Sequence, residues 1–173
     1  MKTLVLGIGN VLLQDEGIGI HAVGELQRRF TVDEDVDFLD GGTAGVELLR
    51  YLDGHDHILI IDAVAAGHPP GTVFRVDGED VPRLFHVRIS PHQIGLSDVL
   101  ATAMLSDSLP GEMTMFGVEP QTMATGLALT PIVEASLEKL VGVVVDELRR
   151  LGHRAEERPD PRPRQLEWSP SGT

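Results

Sequence analysis

Apolar residues fall along this chain in two alternating rhythms: short unbroken runs, and longer stretches in which they recur every three or four positions. Unbroken runs suit strands covered on both faces, and the wider spacing suits amphipathic helices. Residues 2–8 therefore predict a strand, and residues 16–29 a helix with Ile20, Val23 and Leu26 on one side. A short second strand is expected at 36–39, then a turn at Asp40-Gly41-Gly42-Thr43. Helical spacing follows over 44–51, with Val46, Leu49 and Leu52 in phase. Residues 57–61 make the clearest central strand, and it ends at Asp62.

In the second half, Pro69-Pro70-Gly71 marks a turn, and residues 72–76 alternate as a strand would. The connection is too short for a helical crossover, so this strand is expected to run antiparallel at an edge. Residues 77–90 show no regular pattern. Helical spacing returns over 95–107 at Leu96, Val99, Leu100, Ala103 and Met104, and residues 112–118 predict another strand. The longest helix is expected over 130–151, with Pro131 suited to its first turn and a long aliphatic stripe behind it. This order predicts an α/β three-layer sandwich, a twisted and mostly parallel sheet of about five strands with helices on both faces.

Length and charge narrow the field. A chain of 173 residues suits one domain, large enough to bury about 70% of its unfolded surface. From His153 onward there are four prolines, four arginines and four acidic residues with almost no apolar periodicity. The expected organisation is thus a single α/β domain over 1–152 and a disordered tail over 153–173. Lys and Arg total 14 against 27 Asp and Glu, a formal net charge of −13, which disfavours a nucleic-acid partner. No 18-residue apolar run and no basic-then-apolar leader is present, so neither membrane insertion nor secretion is expected, and the expected location is the cytoplasm. The absence of cysteine removes thiol nucleophiles and thiolate ligands and leaves carboxylate and imidazole.

The chemistry concentrates after the predicted strands. Gly7 and Gly9 fit the first two places of a dinucleotide turn, but the third is Leu12, and Asp15 and Glu16 would repel a phosphate at the helix start. A cation suits that position better. Ligands of open parallel sheets bind beyond the carboxyl ends of the strands, where Glu16, Asp40, Asp62 and Glu119 are all expected. His92, just ahead of a predicted helix, is placed on the same rim. Carboxylates gathered without a basic partner repel one another, and a divalent cation relieves that repulsion. Each also has a plainer reading: Asp15 as a helix cap, Asp40 before two glycines as a turn residue, Glu119 before Pro120 and His92 as ordinary loop residues. Asp62, bordering the core, is harder to dismiss. His55 and His57 start the central strand, which puts His57 on the order of 16 Å from Asp62, at the opposite edge.

Four stretches together, Gly7-Ile8-Gly9-Asn10 with Asp15-Glu16-Gly17-Ile18-Gly19, Asp40-Gly41-Gly42-Thr43, Asp62-Ala63, and His92-Gln93-Ile94-Gly95-Leu96, resemble the NiFe hydrogenase maturation endopeptidases over about residues 3–151. The resemblance implies removal of a C-terminal peptide from the precursor of the hydrogenase large subunit after nickel insertion. It also implies Glu16, Asp62 and His92 as metal ligands and Asp40 as the functionally important aspartate, either general base or peptide holder. The implied metal is a divalent ion, nickel supplied by the substrate, and no permanently bound cofactor is required. A non-enzymatic nickel-binding escort uses the same ligands without a peptide groove, and a nucleotide-binding enzyme is a more distant alternative.

Overall fold

In the computed structural model the described residues are 1–44, 46–78, 80–81 and 112–161. Strand β1 (Thr3–Ile8) leads through a single 3-10 turn, Gln14–Gly17, into helix α1 (Ile18–Arg29). Then come β2 (Phe30–Val32), β3 (Val36–Gly42), a one-turn helix α2 (Leu49–Leu52) and β4 (His57–Ala63). Strands β5 (Val73–Asp77) and β6 (Glu112–Val118) precede the long helix α3 (Pro131–Arg150) and a last strand β7 (Ala155–Glu157).

The main sheet has the order β3-β1-β4-β6-β5. The first four strands are parallel, and β5 runs antiparallel to β6 at the edge, as the short connection predicts. Alternation within the strands sends residues to two separate cores. Val5, Leu59, Ile61, Phe116 and Val118 pack under the apolar stripes of α1 and α3. Leu4, Leu6, Ile8, Ile58, Ile60 and Met115 face the other way, onto Leu48, Leu52 and Val81. Both faces of the central strands are covered, which is why these strands read as unbroken aliphatic runs.

Two expectations change. The helical spacing over 44–51 is honoured only by a 3-10 turn, Val46–Leu48, and the four residues of α2, because Gly54 (φ 80°) soon turns the chain toward β4. The tail boundary also moves. Ala155–Glu157 pair antiparallel with β2, Arg158 donates its amide to the Arg29 carbonyl, and the buried His153 ring meets the Thr3 hydroxyl at 2.8 Å. The helix expected at 95–107 lies outside the described residues, as do the last twelve residues of the expected tail.

Candidate active site at the carboxyl edge of the sheet

Close backbone contact sets the position of the first acidic turn. A Cβ on Gly19 would run into the carbonyl oxygens of Ile8 and Ile61, and one on Gly9 into the carbonyl oxygen of Glu16. Glycines at these places let the start of α1 rest directly on the ends of β1 and β4. Gly9 also holds φ at 135°, which side chains rarely adopt. The two glycines that suggest a nucleotide turn thus serve a different purpose: Gly9 seats the turn that carries Glu16, and Gly7 accepts Gly19 against its bare Cα.

Glu16 is 2% exposed and Asp62 wholly buried. The turn that carries Glu16 packs against β4, the strand whose carboxyl end holds Asp62. Asp62 is in register with Gly117 of β6, and on β4 it stands one residue beyond the pairing of Ile61 with Gly7 of β1. Two buried carboxylates are therefore delivered to the same end of adjacent parallel strands, at the crevice where such sheets bind ligands. Burial of acidic groups is costly without compensation, and a carboxylate pair suits a hard or borderline divalent ion. Among the described residues no group of three or more His, Asp or Glu side chains is placed to hold a metal ion. The third expected ligand, His92, lies outside the described residues.

Asp40 occupies the rim. It is exposed on β3, in register with Gly7, and its Oδ1 accepts the Gly42 amide at 2.9 Å. The turn reading of this residue is thus satisfied, and its carboxylate still faces solvent beside the crevice. Strands β3 and β4 flank β1, which sets Asp40 and Asp62 two strand spacings apart, about 10 Å.

Asp15 and Glu119 have structural duties. The buried Asp15 carboxylate accepts hydrogen bonds from the amides of Gln121, Thr122 and Thr130 and from the Thr130 hydroxyl, at 2.7–3.1 Å. Asp15 does not cap its own helix; it bonds to the residue that caps α3, more than a hundred positions away. Glu119 Oε2 accepts the amides of Ala66 and His68, at 2.6 and 3.2 Å, and so ties down the loop after β4. Of the two readings open for Glu119, these bonds carry the structural one. His55 and His57 sit at the opposite end, as expected: His57 is in register with Thr3 and Glu112, and His55 bonds Asp37.

A covered parallel sheet with buried carboxylates at its carboxyl crevice defines an α/β protein with an acidic candidate site. Comparison with known proteins makes the class particular. The family model for hydrogenase maturation protease, HycI, matches residues 20–147. The hydrogenase 2 maturation protease of Escherichia coli K12 is 43% identical over 153 residues, covering 88% of this chain and 93% of that protein. A hydrogenase expression/formation protein, HupD, of Thiocapsa roseopersicina is 37% identical over 161 residues, covering 92% of this chain and 73% of that protein. Among solved structures, the E. coli hydrogenase maturating endopeptidase HybD superposes with a TM-score of 0.89 at 43% identity, covering 92% of this chain and 99% of that one. The NiFe hydrogenase maturation protease HybD of Thermococcus kodakarensis does so at 0.71 and 28% identity, covering 85% and 99%. The chain belongs to the hydrogenase maturation protease family and is a peptide-bond hydrolase of that family.

Proposed function

We propose that this protease removes a C-terminal peptide from the nickel-loaded precursor of a NiFe hydrogenase large subunit, with the metal on the substrate as its licence to cut. The observation that carries the reading is the burial of Glu16 and Asp62 at one end of the sheet, where the turn that holds Glu16 packs against β4. With His92 they supply an O, O, N donor set that leaves coordination positions for groups of the substrate. Asp40 stands on the rim, where a solvent-facing carboxylate either takes a proton from the attacking water or brackets the extended peptide. In the hydrolysis, water adds its hydroxyl to the scissile carbonyl carbon, the C–N bond breaks, and the remaining proton leaves on the new amine. No thiol is available to take water's place.

The proposed setting is the cytoplasm; among the described residues no helix is long and apolar enough to cross a membrane. The decisive experiment incubates the protein with nickel-loaded and nickel-free precursor and weighs both by mass spectrometry. Trimming confined to the loaded form is expected. Equal trimming of the two removes metal sensing from the reading, and no trimming of either removes the endopeptidase.

A further inference from the structure

The loop after β1 and the loop between β6 and α3 are clasped together beside the turn that carries Glu16. Leu12 accepts the Gly126 amide at 2.8 Å, and the Gln14 amide donates to the Gly126 carbonyl at 2.9 Å, so Leu13 and Gly126 form a one-rung parallel bridge. Gln14 adopts φ 46°, a left-handed conformation for a side-chain-bearing residue, and its side chain lies so close over Gly126 that a Cβ there would meet it at 2.9 Å. One residue on, the Asp15 carboxylate binds both ends of the second loop. Such backbone strain persists where surrounding contacts over-determine it, and it concentrates at ligand-binding places.

The clasp holds apolar side chains out in water. Leu12 is 56% exposed and Leu127 is 71% exposed, and Val11 is exposed beside them. Of the six exposed large apolar residues among those described, three therefore sit on these two clasped segments. Single exposed apolar residues are ordinary, but a group fixed on a rigid, strained scaffold beside a crevice marks an interaction surface.

We infer that Leu12 and Leu127 form an apolar lip that receives aliphatic or aromatic side chains of the precursor polypeptide next to the bond to be cut. This rests on the endopeptidase reading above. The occupant follows from position and charge. The lip is continuous with the candidate site, only three residues separating Leu12 from Glu16. A net charge of −13 opposes both a second copy of this chain and an anionic lipid surface. An apolar stretch of the substrate chain meets neither obstacle. The rigid clasp also lowers the ordering cost of the encounter, since its loops are already fixed.

The test uses the full chain with Leu12→Ser and Leu127→Ser, singly and together, both at exposed positions where the fold has little to lose. Affinity for the precursor is measured by surface plasmon resonance, and trimming is resolved into KM and kcat. The double variant is expected to lose at least tenfold in affinity and to raise KM by a similar factor, with kcat and thermal midpoint close to the parent protein. Unchanged affinity overturns the lip, whatever the trimming rate. Weakened affinity in a protein whose parent never trims the precursor keeps the lip and sinks the endopeptidase reading instead. A parent dimer in sedimentation that the double variant dissolves, with precursor affinity intact, assigns the surface to self-association and also overturns the inference.

Discussion

At the scale of single residues, neighbouring carboxylates with the same chemistry have opposite fates. Asp15 and Glu16 are adjacent, yet Asp15 spends its oxygens on four donors in a distant loop, while Glu16 is buried in a turn that packs against β4. Hydrogen bonds to a charged acceptor contribute about 1.5–3 kcal/mol each, and their donors become unsatisfied when the acceptor is removed. Asp15→Ala is therefore expected to lower unfolding free energy by about 3 kcal/mol in urea titration; a loss within error would show that the loop finds other partners. Asp40→Asn tests the opposite case. Asparagine keeps an oxygen for the Gly42 amide, so stability should stay within about 0.5 kcal/mol while precursor trimming slows. A parental trimming rate removes Asp40 from the mechanism. Asp62→Ala and His92→Ala should each weaken divalent-metal binding in calorimetry, and unchanged affinity in both counts against the ligand assignment. The sequence shows that acids cluster after strands, but not which ones are consumed by amides. Asp15 and Glu119 bond to backbone groups that come from 51 to 115 positions away, a separation no local spacing encodes.

Among the elements, what could be read from sequence follows the strength of the apolar signal. The run at 112–118 is the observed β6, and the run at 57–61 is β4 without its last two residues, because Asp62 interrupts the apolar pattern but not the hydrogen-bonded ladder. Strand β7 was invisible for the converse reason. Ala155-Glu156-Glu157 carries one apolar residue, and the strand exists because β2 offers an edge and His153, Arg154 and Arg158 tie the segment to Thr3, Asp33 and Arg29. Truncation after Gly152 is accordingly expected to be destabilising, by about 2 kcal/mol or more from the lost buried groups and hydrogen bonds. An unchanged urea midpoint would return these residues to the tail. The glycines carry a related ambiguity. A turn made for phosphate and a turn made for close helix–strand packing demand the same residue, and only the carbonyls of Ile8, Ile61 and Glu16 show which is present. Gly19→Ala should cost about 1–3 kcal/mol, the usual penalty for overpacking against a backbone that cannot yield, and a neutral result in thermal melting would mean that α1 slides along its axis.

For the whole molecule, the amino end of the sheet governs response to acid. The Thr114 hydroxyl donates to Asp77, so it accepts from His57 Nε2, which fixes the neutral ring with its proton on that nitrogen. Nδ1 then faces the Glu112 carboxylate at 3.2 Å. Burial pushes the His57 pKa below its ordinary value, with Glu112 only partly opposing. The unfolded chain therefore takes up a proton on this ring at a higher pH than the folded one, and stability present above the ordinary histidine pKa is lost as pH falls from there through the depressed value. A second step belongs to Glu147. Its side chain is buried, and the guanidinium groups of Arg150 and Arg75 hold its pKa down to about 2 from 4.5. Its contribution is complete above 4.5 and disappears as pH falls toward 2, an amount of roughly 2–3 kcal/mol. Urea unfolding across pH should thus show a decline beginning near pH 6.5 and a further one below pH 4.5. His57→Gln should flatten the first and leave the second, and Glu147→Gln the reverse. Persistence of the upper step in His57→Gln would remove His57 as its source. Protonation of the many surface carboxylates works against these losses by relieving the self-repulsion of a −13 chain. Added salt screens that repulsion at every pH but reaches the buried His57 and Glu147 far less, so the two steps should survive at high ionic strength while the baseline between them rises.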